Sequence, residues 1–382
     1  ISEEEYNNFY SSRFTDMDKP LKVIHTSAEG LSSYKALLFI PSHAPYDYYY
    51  KEYKRGLELY TNGVLIMDKC EELVPEYYSF VKGVVDTDDL SLNISRETLQ
   101  SDKHVLAIAK GLETKIHNEL KDMLTNDFES YKKFFEAFGS QIKYGTYNMY
   151  GMNKDKLKDL LVFYSKDKGD LITLDEYVKN MKEGQENIYY ASGESVSKID
   201  SLPQVEQIKK KGFDILYLTN YLDEFVISVL REEDGKTFKS VSDSSLDLDT
   251  EEEKKANKKL NEDNKDMLAE IKDALGDEVT SVRFTNKLDS HPVCLTSEGE
   301  ISVEMQKVIN AMPTDENVKA KLVLEINEKH DIVKKLEKLY KEDKDELKKY
   351  AKVLYSEARL IEGLSIDNPT EISNLICELI AK

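Results

Sequence analysis

Three side chains around residue 96 are suited to binding an anion together. Asn93, Arg96 and Gln100 follow the acidic turn "DTDD" and stand at the start of a predicted helix. Arg96 and Gln100 are four residues apart, so a helix places them on one face, and Asn93 or Ser95 can cap its first turn. Free N–H groups beside a permanently charged guanidinium favour an anion such as a phosphate.

A plain ion pair explains the same arginine. Glu97 and Asp89 are close enough in sequence to neutralise Arg96 at the surface, and spacing alone leaves both interpretations open. Elsewhere the sequence holds no phosphate-binding loop, zinc-protease or serine-hydrolase motif. The six histidines lack metal-ligand spacing, so no metal site is predicted. A self-contained hydrolase is therefore not favoured.

Three apolar or aromatic groups are candidates for binding other proteins. The first is a helical stripe in "SVEMQKVINAM", and the second is a similar stripe in the last helix. The third is a run of tyrosines after Pro41 that includes Tyr46. The stripes consist of Met305, Val308, Ile309 and Met312, and of Ile372, Leu375, Ile376 and Leu379. Each group is either core packing or an exposed contact surface, and the last stripe either packs on its own domain or pairs with a second copy.

Composition narrows the class of protein. The 382 residues carry a net charge of -20, which argues against wrapping nucleic acid. No apolar run approaches the roughly 18 residues of a membrane span. Three scattered cysteines favour a reducing cytoplasm. The chain begins at Ile1 without an apolar signal, which suggests a piece of a longer protein.

The elements that would position these residues alternate between strands and helices. A helical lead-in over 1–19 precedes strand-like runs, and Asn62-Gly63 predicts a hairpin turn. Asp102 is a predicted N-cap of a long amphipathic helix. Helical segments are predicted to continue through "YKKFFEAFG" and "NKDKLKDLLVFYS".

The second half shows the same alternation. "NIYYAS", "PQVEQIKKKG" and "FDILYLT" predict a small βαβ unit whose helix ends at Gly212. The polar stretch 232–266 reads as a solvated linker and charged helix face. Beyond it come a helix, strands in "VTSVRFTN" and "KAKLVLEIN", one long helix over 329–355, and a last helix from about Glu371 that Thr370 can cap.

Four longer segments together resemble one family. They are "LLFIPSHAPYD", "LYTNGVLIMD", "VPEYYSFVKGVVDTDDLSLNISRETLQ" and "YVKNMKEGQENIYYASGES". The family is that of the ninety-kilodalton heat-shock chaperones in its bacterial form. The resemblance runs from residue 1 to 382 and implies the middle and C-terminal domains, without the N-terminal nucleotide-binding domain.

The resemblance implies an α/β multidomain fold. A middle domain (1–240) would contain two α/β subdomains (1–125 and 169–240) joined by a helical connector (126–168). A charged linker or helix (241–266) would lead to a mixed α/β dimerisation domain (267–382). These limits are expectations from the family together with the pattern changes near Asp102 and Leu171.

The resemblance also implies roles for single residues. Arg96 would reach the γ-phosphate of ATP held with Mg²⁺ by the N-terminal domain, Gln100 would support it, and Asn93 lies in the same loop. Non-native client proteins would contact Met305, Val308, Ile309 and Met312, together with Phe225 and Tyr46.

The family further implies a cytoplasmic homodimer, paired through Ile372, Leu375, Ile376 and Leu379. Neither ATP nor another cofactor is expected on this chain alone, and it is not expected to be an enzyme by itself. A passive interaction scaffold, with the "SVEMQKVINAM" stripe simply buried, is the alternative.

Overall fold

The computed structural model describes residues 1–30, 32–50, 53–91, 99–313 and 318–381. The chain divides into two compact units, residues 1–162 and 163–382. Several sheets with helices around them confirm the predicted mixed α/β fold. The predicted domain limits stay predictions. No helix among the described residues is long and apolar enough to cross a membrane.

The first unit is built on a five-stranded sheet of order β1-β2-β5-β3-β4. Only β3 and β5 run parallel; the other neighbours are antiparallel. The strands are β1 (Lys22–Ala28), β2 (Tyr34–Ile40), β3 (Leu57–Thr61), β4 (Val64–Cys70) and β5 (Lys82–Thr87). The predicted hairpin turn is confirmed, because Asn62 and Gly63 both adopt the positive φ angles that such a turn requires.

Helices cover this sheet and continue the unit. They are α1 (Glu3–Phe14), α2 (Lys103–Asn126), α3 (Phe128–Gly151) and α4 (Lys154–Leu157), with short 3₁₀ turns at Glu71–Leu73, Glu76–Tyr78 and Lys158–Leu160. Asp102 caps α2 as predicted and accepts hydrogen bonds from the backbone N–H groups of His104 and Val105 at 2.8 and 3.2 Å. The buried face of α2 runs from Val105 to Met123, whereas Leu106 is exposed.

A six-stranded sheet of order β10-β11-β8-β9-β6-β7 begins the second unit. Its strands are β6 (Val162–Ser165), β7 (Asp170–Thr173), β8 (Ile188–Ser192), β9 (Ile215–Leu218), β10 (Glu232–Glu233) and β11 (Lys236–Ser240). Its helices are α5 (Leu174–Lys179), α6 (Val196–Asp200), α7 (Val205–Lys211) and α8 (Asp223–Leu230). The predicted βαβ unit is confirmed, because β8 and β9 are parallel and α7 ends at Gly212 with a φ of 71°.

Two predictions for this sheet were wrong. The tail of "NKDKLKDLLVFYS" is strand β6, because its apolar and aromatic residues pair with β9 in the sheet. Residues 232–240 are not solvated linker but a hairpin, turned at Asp234-Gly235, whose strand β11 pairs in parallel with β8.

The rest of the second unit surrounds a three-stranded sheet of order β12-β14-β13. The strands are β12 (Ser281–Thr285), β13 (Val293–Glu298) and β14 (Lys321–Asn327). The helices are α9 (Glu251–Asp263), α10 (Lys265–Leu275), α11 (Val303–Ala311), α12 (Ile332–Glu342), α13 (Lys344–Ile361) and α14 (Pro369–Ile380), with a 3₁₀ turn at Gly276–Glu278. One apolar core joins this sheet to α10, α12 and α13.

The long helix predicted over 329–355 is two helices. Asp343 breaks it with a φ of -153° and caps α13 by accepting the Glu346 N–H at 2.9 Å. An aspartate side chain that bonds to the backbone in this way competes with helix continuation. The last helix was predicted well, but its cap is Asn368 rather than Thr370.

Candidate functional site

Two of the three predicted anion-binding residues, Asn93 and Arg96, lie outside the described residues. The third, Gln100, is exposed in a turn directly before α2. Its neighbour Leu99 is fully buried, which fixes the chain on this side. The structure therefore neither brings the three side chains together nor separates them.

The segment before this loop is also held in place. The single proton of the buried Thr61 hydroxyl is shared between the carbonyl oxygens of Thr87 and Leu90, which lie 2.6 and 3.1 Å from the hydroxyl oxygen. The Asp89 carboxylate accepts the backbone N–H of Ser33 at 2.7 Å. Residues 87–90 and Leu99 thus form two fixed ends between which the predicted loop runs. The alternative ion pair between Arg96 and Asp89 stays open.

Residues from two distant segments line one cavity in the second unit. Phe225 of α8 and the α11 residues Met305 and Val308 border a space of about 160 Å³. All three are half-buried, and Met305 and Val308 share a face of α11 because they are three residues apart. The cavity unites predicted client-binding residues that stand about 80 positions apart in the chain.

The start of α11 is tied to α8 beneath this cavity. Ser302 caps α11 by accepting the Met305 N–H at 3.0 Å, and its hydroxyl donates a hydrogen bond to the Glu224 carboxylate. Glu224 is buried, and this burial raises the pKa of its carboxyl group. The hydroxyl of Ser302 opposes that shift because it stabilises the ionised form. One serine therefore links the two helices.

Charged groups stand at the rim of the cavity. Glu194 and Glu304 line it, and each pairs with a lysine three or four residues further along the chain, Lys198 and Lys307 respectively. The Lys307–Glu304 distance is 2.6 Å. The rim is thus a set of compensated ion pairs around an apolar interior, which suits a small apolar group rather than a bare charge.

The other predicted client residues lie elsewhere. Ile309 is half-buried outside the cavity, and Met312 ends α11 with 43% of its surface exposed. On α11 only Val303 is fully buried, so the stripe is not a simple core. Tyr46 belongs to the first unit and is 93% exposed, with its ring centroid 5.8 Å from that of Tyr50.

The tyrosine run divides between core and surface. Tyr48 is buried and shares a 2.7 Å hydrogen bond with Ser79, whereas Tyr46, Tyr49 and Tyr50 are exposed. Both interpretations offered by the sequence therefore apply, each to different members of the run.

The predicted dimer stripe is partly covered by its own chain. Ile372, Leu375, Ile376 and Leu379 are all half-buried, and α14 has no fully buried residue. Ion pairs attach α14 to α13, between Lys349 and Glu378 at 2.6 Å and between Lys352 and Glu371 at 3.1 Å. Packing on its own domain therefore covers the stripe only in part and leaves the rest of its surface exposed.

Sequence reasoning missed several residues of the cavity. Gly193 lies in its wall where a Cβ atom would come within 2.9 Å of Ile199, so a larger residue would disturb that wall. Tyr221 and Glu224 flank the cavity from the same segment as Phe225. Their closeness to Phe225 in sequence was the only available signal, because the fold alone brings them to α11.

Comparison with known proteins places the chain in a family. A family model described as "Hsp90 protein" matches residues 1–382. The "Chaperone protein HtpG" of Clostridium perfringens strain 13 is 51% identical over 379 residues, covering 99% of this chain and 60% of that protein. The proteins of the same name from Clostridium botulinum strain Langeland and Clostridium acetobutylicum are 50% and 52% identical over the same shares. This chain spans 60% of the length of these relatives, and it belongs to the Hsp90 family of chaperones.

Proposed function

We propose that this chain is the client-binding and dimerising part of an ATP-dependent chaperone of the HtpG type. The observation that carries the proposal is the cavity shared by Phe225, Met305 and Val308. Non-native proteins differ from native ones by exposing apolar side chains, and a half-exposed apolar cavity is a place where one such side chain can bind.

The size and chemistry of the cavity suit transient capture of varied sequences. Its volume of about 160 Å³ is roughly five times the volume share of one water molecule, enough for a single medium-sized apolar side chain. Met305 contributes a flexible, polarizable wall that adapts to different shapes. A site that holds one side chain at a time binds weakly and releases readily, as a chaperone must.

The nucleotide part of the proposal rests on the loop near Arg96. In the whole protein, ATP and Mg²⁺ would be held by a separate N-terminal domain, and Arg96 would donate to the γ-phosphate where negative charge develops. Gln100 fits a supporting role because it is exposed, and Asn93 would belong to the same loop. The chain alone would then hydrolyse no ATP and bind no cofactor.

The assembly part of the proposal is a cytoplasmic homodimer. The half-exposed stripe of α14 would pair with the same stripe of a second copy. The proposal is supported by the stripe's being only partly buried by the rest of its own chain. Exposed Met312 and Tyr46 would extend the contact with clients beyond the cavity.

The experiment that tests the proposal is truncation of the cavity wall. Replacing Phe225 or Val308 by alanine is expected to weaken capture of an unfolded polypeptide while the chain stays folded. Unchanged capture by folded variants would contradict the proposal and favour the passive scaffold.

A further inference from the structure

Two aspartates and a histidine meet on the first unit. Asp16 and Asp18 follow α1, and His43 lies in the loop after β2. One ligand atom from each of the three lies within 4.8 Å of the other two. Sequence spacing could not show this group, because its members meet only when α1 packs on the sheet through Tyr10 and Phe39.

The buried Asp16 carboxylate is held in a fixed orientation. Its Oδ2 accepts the Tyr10 hydroxyl at 2.6 Å and lies 3.4 Å from the Lys82 ammonium. Its Oδ1 points toward the other two residues: it accepts the Asp18 N–H at 3.2 Å and lies 3.9 Å from His43 Nε2. Donors that fix the orientation of a carboxylate are the arrangement found behind metal ligands. Oδ1 accepts a single N–H, so it keeps a lone pair that can bind a cation.

The other two side chains are exposed and able to move. His43 Nδ1 lies 3.4 Å from Asp18 Oδ2, and more than half of each side chain is accessible. Two ligand atoms bound tetrahedrally to one zinc ion lie about 3.4 Å apart. The two short contacts of His43 use different ring nitrogens, and one ligand atom from each residue lies within 4.8 Å of the other two. The exposed Asp18 and His43 side chains must therefore rotate to bring a single ring nitrogen and both carboxylates to one ion. The two carboxylates outweigh the single Lys82 ammonium, which leaves net negative charge for a cation.

We propose that Asp16, Asp18 and His43 form a binding site for a first-row divalent transition-metal ion, with zinc as the probe. Two carboxylate oxygens and one imidazole nitrogen are ligands that zinc accepts, and water completes the coordination. The ion joins the segment after α1 to the loop after β2, and therefore stabilises the folded chain in proportion to its occupancy.

The test is calorimetric titration of the metal-stripped 382-residue chain with zinc. The expected result is one zinc per chain, with affinity reduced at least about tenfold in His43→Ala. His25→Ala is the matched control, because His25 is exposed on β1 of the same unit and pairs with Tyr6 instead. Its zinc affinity should stay within about twofold of wild type.

Two further measurements complete the test. Tyr10→Phe keeps the buried ring but removes the hydrogen bond to Asp16, and should weaken zinc about 10- to 100-fold. Zinc should raise the thermal midpoint of wild type but not of His43→Ala, whose metal-free midpoint is expected to match wild type. Absence of saturable binding, wild-type affinity in His43→Ala, or equal loss in His25→Ala would each overturn the site.

Discussion

Ser302 joins the start of α11 to the buried carboxylate of Glu224 on α8. The serine accepts the Met305 N–H with its side-chain oxygen and donates its hydroxyl hydrogen to Glu224. The bond between Ser302 and Glu224 lies close to two residues of the cavity wall. Phe225 directly follows Glu224, and Met305 is three residues after Ser302. The bond therefore links the two helices that form the cavity.

Ser302→Ala removes both functions of this serine. We expect the free energy of unfolding to fall by about 1–3 kcal/mol, because a helix cap is lost and a buried carboxylate loses a donor. Urea unfolding measures this change in the free energy of unfolding. Ser195→Ala is the comparison: Ser195 also caps a helix, α6, but its hydroxyl lies 3.2 Å from the exposed Ser197 hydroxyl rather than against a buried carboxylate. An equal loss in both variants would show that the bond to Glu224 adds nothing.

Glu362 makes the stability of the chain depend on pH. Its carboxyl is buried and accepts a hydrogen bond from Gln204, and burial raises its pKa from 4.5 to about 7. Nearby Glu304 raises the pKa further and Lys307 opposes it. Between pH 4.5 and 7 the folded chain holds a proton that the unfolded chain has lost. The free energy of unfolding contributed by this group therefore falls as pH rises.

Glu362→Gln should remove this dependence while keeping an oxygen that accepts the Gln204 hydrogen bond. We expect the variant to gain roughly 3 kcal/mol over wild type on going from about pH 4.5 to about pH 8. Urea unfolding across this range measures the gain. Glu252→Gln, on the exposed face of α9, should leave the pH profile unchanged. Parallel profiles for Glu362→Gln and wild type would refute a raised pKa.

Arg96→Ala in the whole protein tests the proposed role of Arg96 in ATP hydrolysis. We expect ATP hydrolysis to fall about 100-fold, the usual cost of removing one donor at a developing anion. Steady-state turnover at saturating ATP is the measurement. Arg55→Ala is the control, because Arg55 pairs with Glu71 and Glu76 and has no proposed role in hydrolysis. Near-wild-type turnover in Arg96→Ala would leave the arginine as a surface ion pair.

Leu375→Asp tests self-association through α14. A charge in the middle of an apolar interface is costly to bury, so the dimer should weaken at least about tenfold. Sedimentation velocity over a concentration series measures this. Ser373→Asp changes an exposed position of the same helix and should leave association intact. A wild-type chain that stays monomeric at its highest soluble concentration would contradict the dimer.

Local signals predicted many elements of this fold, and the failures have physical causes. The turn predicted at Asn62-Gly63 and the helix cap predicted at Asp102 were confirmed, because a turn and a cap depend only on adjacent residues. Asp234-Gly235 carries a similar turn signal, but the surrounding charges hid a strand that lies near the edge of its sheet. Asp343 was overlooked as a break because the apolar spacing continues on both sides of it.

The candidate sites were predictable only in part. Periodicity and family resemblance both pointed to Met305 and Val308, but their meeting with Phe225 depends on how α8 and α11 pack. The same limit applies to Asp16 and His43, which tertiary structure alone brings together. Residue types can be read from a sequence, whereas distances between remote segments depend on the packing of the whole core.

The most direct test of the central claim is the affinity of a labelled, permanently unfolded polypeptide for variants of the cavity wall. Fluorescence anisotropy should show Phe225→Ala and Val308→Ala each weakening binding about 5- to 30-fold. Their effects should combine non-additively, because both residues line one cavity. Met152→Ala, which truncates an exposed methionine in the first unit, should bind as wild type does. Wild-type affinity in both folded cavity variants would contradict the account.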